Sequence, residues 1–193
     1  MAHSETNLIQ TWETESLSEP ENQARLTHVD AKGKAQMVDV SHKLTTNRVA
    51  VAVCDVFVPE NVAKLIRDNK MKHPSSSGDT FSVAQIAGVM AAKQTSNLIP
   101  LCHNVPLNDV QINIELLQSK SNFGEHPYRV HIEATARCRA PTGVEMEALT
   151  GATITALTIY DMCKAASKQM VIGNCRLIRK AGGKSGEFVM NQK

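Results

Sequence analysis

The sequence has few aromatic residues and no hydrophobic run of the length that crosses a membrane. Phe, Tyr and Trp make up 4% of the 193 residues. A spanning helix needs about 20 consecutive apolar residues, and a secretory signal needs an apolar stretch near the N-terminus. Neither pattern occurs, so we expect a protein that is not secreted and has no membrane partner. Scattered Lys and Arg with so few aromatics also offer no base-stacking platform, so we expect no nucleic-acid partner.

Paired cysteines are missing as well. The chain has five cysteines, an odd number, and no two of them form a C-x-x-C motif. Disulfide frameworks and cysteine-cage zinc sites depend on paired spacings. We therefore predict reduced thiols and no bound metal. The five are Cys54, Cys102, Cys138, Cys163 and Cys175.

Positive charge is absent from the first 24 residues, which are polar and carry five Glu. Such a segment buries too little apolar surface to fold, so we predict a disordered tail over 1–24 and a single domain over 25–193. An acidic leader without Arg is unlike a mitochondrial transit peptide. We expect a cytoplasmic protein, or one of the mitochondrial matrix if the chain is part of a eukaryotic two-domain protein. Since the whole chain is at +2, the remainder is basic and suits an anionic ligand.

Hydrophobic periodicity predicts seven main elements in the order β, α, α, β, β, α, β. Counting the two early helices as one crossover gives the ferredoxin-like split pattern. That pattern is an α+β fold with helices on one face of a mainly antiparallel sheet. The predicted strands are 48–58, 109–117, 128–138 and 171–179, and the predicted helices are 60–69, 81–98 and 143–169.

The last predicted helix has one apolar face and one polar sector. At 100° per residue, Glu147, Asp161 and Lys164 point away from the core together. A polar helix face that contacts only solvent would also explain these three residues. The predicted core face consists of Ala148, Leu149, Ala152, Ala156, Ile159, Cys163, Ala166 and Met170.

The middle of this helix carries no charge between Thr150 and Tyr160. A helix that faces water usually interleaves charges, so small residues such as Gly151 and Thr155 suggest packing against another subunit. Glu147 and Asp161 are 14 residues apart, or about 21 Å along a helix. Either the ligand is extended, or the two ends of the helix serve different sites in a symmetric oligomer.

Asp161 and Lys164 are neighbours on the helix surface at spacing i, i+3. Such a pair is often only a salt bridge. In a pocket with little water it becomes a proton-transfer pair, because burial and nearby cations lower the pKa of a lysine.

Two loops carry further candidates. Cys102 and His103 lie in the loop after the second predicted helix, where they could suggest a Cys–His nucleophile pair. The side chains of adjacent residues rarely point at each other, so we expect no covalent catalysis by this pair. His103 is the better candidate for a ligand or an acid–base group. The segment 182–186 resembles the end of a phosphate loop, yet it lacks the first glycine of the motif and opens no helix. We therefore predict no Walker A site. Lys180 and Lys184 remain candidates for phosphate contacts, against the alternative of ordinary exposed lysines.

Several motifs follow one another in order between Leu26 and Phe188. They are Leu26-Thr27-His28, Met37-Val38-Asp39-Val40, the segment Ile99 to His103, the segment Thr142 to Thr150, the segment Ala156 to Ala165, and Gly182-Gly183-Lys184-Ser185-Gly186. Together these motifs resemble the MoaC family of cyclic pyranopterin monophosphate synthases. The resemblance implies a ferredoxin-like fold, a homo-hexamer built as a trimer of dimers, and active sites at the dimer interface.

The resemblance also implies a lyase of molybdenum cofactor biosynthesis. Its small-molecule substrate is 3′,8-cyclo-7,8-dihydro-GTP, and its products are the cyclic phosphate pterin and pyrophosphate. No tightly bound cofactor is implied, although Mg²⁺ can accompany the triphosphate. By resemblance, Asp161 and Lys164 are the acid–base pair. The implied purine and ribose pocket comprises Leu101, Cys102, His103, Glu145, Met146 and Glu147, and the implied triphosphate ligands are Arg48, Lys180 and Lys184.

One position departs from the family pattern. The family has a catalytic lysine directly before the Gly78-Asp79 pair, where this chain has Ser77 within a longer loop. We expect Lys72 to reach the site in its place, with Lys70 as the second candidate. If neither does, the chain is a non-catalytic nucleotide-binding module of the same fold. A third hypothesis is a metal-binding protein that uses Cys102, His103 and His131, which requires zinc in the pure protein.

Overall fold

The computed structural model describes residues 26–72, 80–119 and 126–191, except for the side chains of 69–72. The predicted tail and the loop with Ser77 lie outside these ranges. The strands are β1 (Thr46–Val58), β2 (Leu107–Gln118), β3 (Tyr128–Ala140), β4 (Val171–Ala181) and β5 (Phe188–Val189). The helices are α1 (Glu60–Lys72), α2 (Thr80–Lys93), α3 (Thr95–Leu98) and α4 (Glu145–Cys163).

The described strands form one antiparallel sheet in the order β2-β3-β1-β4-β5. The first four follow the ferredoxin-like order, and β5 adds a short edge beside Arg179 and Lys180. The predicted α+β fold is therefore confirmed. Strands β1 and β3 have 13 residues each and pair with each other along their whole length. Strand β2 pairs with the other edge of β3, and β4 pairs with the other edge of β1.

Small and β-branched residues build the core between the sheet and α4. Every second residue of β1 faces the helices, and Ala50, Ala52, Cys54, Val56 and Val58 are all fully buried. The facing side of α4 is equally small, which lets the helix lie close to the strands. Its buried residues include Ala148, Ala152, Ala156 and Ile159, as predicted, together with Gly151 and Thr155.

The small residues in the middle of α4 pack against α2 of the same chain, not against another subunit as we predicted. A Cβ atom at Gly88 of α2 would collide with the Thr155 hydroxyl and lie 3.0 Å from the carbonyl oxygen of Gly151. Two helices that meet at glycines can approach at backbone distance. The uncharged stretch is therefore explained within one chain.

Two helix ends differ from the prediction. Helix α4 ends at Cys163 instead of residue 169, because the Tyr160 hydroxyl and the Asn61 amide donate to the carbonyls of Lys168 and Ala166 in a non-helical turn. The predicted helix 81–98 is interrupted after Lys93, and α3 follows it. No helix within the described ranges is long and apolar enough to cross a membrane.

Candidate active site

Polar side chains from four parts of the chain meet at the N-terminal end of α4. Lys180 of β4 lies with its Nζ 3.2 Å from Oε1 of Glu145, in the first turn of the helix, and 3.3 Å from the Ser185 hydroxyl. Both the ammonium and the carboxylate are about 30% exposed. Acidic side chains are favourable at a helix N-terminus. Here the Lys180 ammonium lies beside them, and it could also bind a phosphate group.

Glu147 is buried, with 3% of its surface exposed. The helical wheel predicted that it points away from the core, and this was wrong: the loop after α3 covers the first turn of α4. The Cys102 sulfur lies 4.0 Å from Oε1 of Glu147. Burial raises the pKa of Glu147, and the neighbouring carboxylate of Glu145 raises it further. Glu147 can therefore hold a proton at a higher pH than an ordinary carboxyl group.

Two thiols near Glu147 are held in the neutral form. Burial raises the pKa of Cys102, and the charge of Glu147 adds to the effect. The same two causes, in the same order, raise the pKa of Cys138 on β3. These thiols are weak nucleophiles, because the thiolate is the reactive form of cysteine. Cys138 was not among the predicted site residues, since an isolated Cys in a strand usually indicates core packing.

Arg48 supports the glycine-rich loop after β4. Its terminal nitrogens donate to the carbonyls of Gly182 and Pro141, each at 3.1 Å, and Nε donates to the carbonyl of Ala140 at 3.4 Å. Gly183 has a positive φ of 79°, and a Cβ there would overlap the guanidinium. Arg48, which we predicted to bind the triphosphate, therefore positions the glycine-rich loop within one chain. It also adds a positive charge beside the part of that loop that carries Lys184.

His103 ties the same loop to the N-terminal part of the domain. Its Nε2 lies 2.8 Å from the carbonyl oxygen of Val38. Leu101, Cys102 and His103 are all half-buried in one turn. Nearby, Met146 exposes 39% of its surface at the first turn of α4. The predicted purine and ribose residues thus lie close together along the loop and the helix start.

Asp161 and Lys164 lie at the other end of α4 and in water. The Nζ of Lys164 is 2.5 Å from Oδ1 of Asp161, and their side chains are 56% and 69% exposed. The hydrogen bond and charge of Asp161 raise the pKa of Lys164, so the lysine stays protonated. At 1.5 Å per residue, the pair lies about 21 Å from Glu147. The structure does not bring the predicted acid–base pair to the predicted pocket of the same chain.

The remaining predictions concern Lys72, Lys70 and the metal hypothesis. Lys72 is the last residue of α1, and its side chain and that of Lys70 lie outside the described part of the chain. His131 binds Asp55 instead of joining Cys102 and His103. Among the described residues, no three His, Cys, Asp or Glu side chains form a group that could hold a metal ion.

A sequence model of the MoaC family matches residues 37–183. The chain belongs to the MoaC family. The matched range contains every described element except β5, and it contains Cys102, Glu145, Glu147 and Lys180. The resemblance inferred from the motifs is therefore confirmed.

Relatives of this MoaC chain differ widely in length. The cyclic pyranopterin monophosphate synthase of Clostridium perfringens (strain SM101 / Type A) is 48% identical over 164 residues, covering 85% of this chain and 97% of the relative. The molybdenum cofactor biosynthesis protein 1 of Drosophila melanogaster is 50% identical over 163 residues, which is 84% of this chain but only 27% of that protein. The mitochondrial cyclic pyranopterin monophosphate synthase of Arabidopsis thaliana is 47% identical over 165 residues, with 86% and 57% covered. The chain spans about a quarter of the length of the animal relatives it matches.

Proposed function

We propose that this MoaC chain is a cyclic pyranopterin monophosphate synthase of molybdenum cofactor biosynthesis, a lyase that converts 3′,8-cyclo-7,8-dihydro-GTP to the cyclic phosphate pterin and pyrophosphate. The clostridial relative of nearly the same length carries that activity in its name. The observation that carries the proposal is the cluster at the start of α4, where Lys180, Glu145, Glu147 and Cys102 meet in a partly buried position.

The reaction needs proton transfers and neutralisation of phosphate charge. The guanine imidazole ring must open and a pterin ring must close. A ribose-derived hydroxyl then attacks the α-phosphorus, and the bond to the bridging oxygen breaks as pyrophosphate leaves. Lys180, Lys184 and the charge of Arg48 would bind the phosphates. Glu147, with its raised pKa, supplies a carboxyl group that can give and take a proton near the purine.

A complete site requires a second chain. Glu147 and Asp161 belong to opposite ends of one helix, so one substrate cannot contact both within a chain. A partner can bring its own Asp161 and Lys164 over the cluster, as in a homo-hexamer built as a trimer of dimers. Removing water from that exposed pair would lower the pKa of the lysine toward a range useful for proton transfer. We place the protein in the cytoplasm, or in the mitochondrial matrix if the chain belongs to a eukaryotic two-domain protein.

No resident cofactor is part of this proposal. A Mg²⁺ ion would bind through the triphosphate oxygens, since carboxylates and phosphates are the ligands it prefers. Turnover with and without added Mg²⁺ in the presence of a chelator tests this point.

Purified chain and freshly generated substrate give the direct test. We expect pyrophosphate and the pterin product to appear together, and we expect both to be lost in Asp161→Asn and Lys164→Ala. Lys168→Ala is the matched control, because this exposed lysine is four residues from Lys164 and beyond the helix. Comparing Lys72→Ala with Lys70→Ala tests which lysine replaces the one missing at Ser77. Full turnover in Asp161→Asn would contradict the assignment.

A nucleotide-binding module without turnover is the second candidate. The replacement of the family's loop lysine by Ser77 favours it. Tight binding of the substrate or of a GTP analogue, with no product from the parent chain under any condition, would support the module and exclude the enzyme.

A further inference from the structure

A β-bulge interrupts the pairing of β1 with β4. Val53 pairs with Arg176 and Asp55 pairs with Gly173, so β4 has one extra residue opposite Cys54. Asn174 adopts a positive φ of 55° in the bulge, and its side-chain amide donates to Oδ2 of Asp55 at 2.8 Å. A bulge of this kind redirects the side chain that follows it.

The bulge places two cysteines beside each other. Cys175 follows Asn174 and turns toward α4, where its sulfur lies 3.2 Å from the hydroxyl oxygen of Thr153. Cys54 lies on the same helix-facing side of β1, across the bulge from Cys175, and its thiol donates to the Gly173 carbonyl at 3.6 Å. Opposed residues of antiparallel strands have Cα atoms about 4.5 to 5.5 Å apart. A disulfide requires about 4.4 to 6.8 Å, so the strand spacing suits a bond between them.

The two thiols have unequal environments. Cys175 is exposed, whereas Cys54 is fully buried. The adjacent Cys54 thiol lowers the pKa of Cys175 to about 6, while burial opposes this effect and the contact with Thr153 supports it. The neighbouring Cys175, together with burial, raises the pKa of Cys54. An exposed thiolate beside a buried, protonated thiol is the usual arrangement of an attacking and a resolving cysteine.

We propose that Cys175 and Cys54 form a peroxide-reactive pair that closes to an intrachain disulfide across the bulge. The Cys175 thiolate attacks one oxygen of hydrogen peroxide, so that an S–O bond forms and the O–O bond breaks. Sulfur is oxidised by two electrons, the peroxide is reduced by two, and the other oxygen leaves as hydroxide, which takes up a proton from solvent. The Cys54 sulfur then attacks the sulfenic sulfur. The S–S bond forms, the S–O bond breaks, and the leaving oxygen takes the Cys54 proton and departs as water.

The pair is separate from the candidate active site and does not depend on the proposed function. The other cysteines of the described chain lack this arrangement: burial raises the pKa of Cys102, Cys138 and Cys163. The strands that the disulfide would join also carry Arg48 and Lys180 to the site. Closing it would therefore fix two walls of that site to each other.

Limited oxidation of the full chain by hydrogen peroxide tests the proposal. After alkylation under denaturing, non-reducing conditions, we expect two thiols to be lost from the five, with a mass decrease of two hydrogens before alkylation. A tryptic map should show residues 49–64 linked to residues 169–176, and dithiothreitol should separate them.

Three variants and one control variant make the outcome specific. Cys175→Ser should remove the thiol loss altogether, and Cys54→Ala should leave a sulfenic acid at residue 175 that a dimedone-type reagent traps. Thr153→Val should slow oxidation several-fold without preventing it, because the thiolate loses one hydrogen bond. Cys163→Ser is the matched control and should behave as the parent. Oxidation of Cys102 before Cys175, or oxidation of Cys175 to the sulfinic acid without a link to Cys54, would overturn the proposal.

Discussion

Glu147 shows how one residue's environment changes its chemistry. The side chain lies in the first turn of α4, 3% exposed, beside the Cys102 thiol. Desolvation penalises its charged form, so the pKa is raised above 4.5. The same position is costly for folding, because the buried carboxylate has few partners other than the first turn of the helix. A group tuned in this way suits proton transfer more than stability.

Substitution Glu147→Gln should stabilise the fold at neutral pH. A raised folded-state pKa contributes stability below the unfolded value of 4.5, and that contribution is lost as the pH rises through the folded pKa. The variant should therefore match the parent in acid and exceed it increasingly up to neutral pH, by about 1.4 kcal/mol for each unit of pKa shift. Urea unfolding from pH 4 to 8 measures this. A parent that gains stability relative to the variant as the pH rises would contradict it.

Asp55 has the opposite linkage. It is 2% exposed, and burial alone would raise its pKa, but hydrogen bonds from His131, Asn174 and Arg129 together lower it below 3.8. Asp55→Asn should cost about 2 kcal/mol at neutral pH, the range for hydrogen bonds to a charged group. The parent should lose this advantage as the pH falls through the folded pKa.

The control for Asp55 is Asp109, whose exposed ion pair with Arg137 is expected to contribute less than about 1 kcal/mol. Chemical unfolding at pH 7 and in acid compares the two variants. Equal losses in Asp55→Asn and Asp109→Asn would show that burial does not set the strength of these pairs.

At the scale of elements, α2 and α4 pack closely at Gly88 and Gly151. Glycine at residue 88 normally costs a helix about 1 kcal/mol relative to alanine. Here the added methyl would meet the Thr155 hydroxyl and the Gly151 carbonyl, so Gly88→Ala should destabilise by about 2 kcal/mol. The double variant Gly88→Ala with Thr155→Ala should recover part of the loss in thermal unfolding. A stabilised Gly88→Ala chain would mean that the helices separate readily.

The elements themselves were largely predictable from the sequence. Alternating Val and Ala in β1, turn residues between β2 and β3, and the apolar stripe of α4 each specify local structure, and together they specify the sheet order. The end of α4 was not predictable, since Tyr160 and Asn61 close the turn through tertiary hydrogen bonds. The burial of Glu147 was missed for a similar reason: a helical wheel does not show which loop folds over a helix end.

The candidate site was predictable only through its motifs. The i, i+3 spacing predicted that Asp161 and Lys164 are neighbours, and the structure shows their contact. The rise per residue of a helix predicted that both lie far from Glu147, and the structure places them at the opposite end of α4. The backbone contacts of Arg48 were not predictable: its nitrogens donate to the carbonyls of Gly182 and Pro141, beside the loop proposed to bind phosphate. An arginine's partners depend on strands that are distant in sequence, and no local pattern records them.

At the scale of the whole molecule, the polar cluster and the exposed Asp161–Lys164 ion pair lie at opposite ends of α4. Under the proposed function, association of two chains would bring one end of each helix to the same site. Each protomer then offers half of two sites. The pair, at 69% and 56% exposed, would become buried only against a partner's cluster.

Mixing two inactive variants tests this claim most directly. Glu147→Gln and Asp161→Asn chains, each inactive alone, are co-expressed with different tags, and the mixed oligomers are isolated and assayed for pyrophosphate release. If each site takes Glu147 from one chain and Asp161 from its partner, random pairing should restore about a quarter of parental activity. No restoration in mixed oligomers that bind substrate would contradict the shared site and place Asp161 outside it.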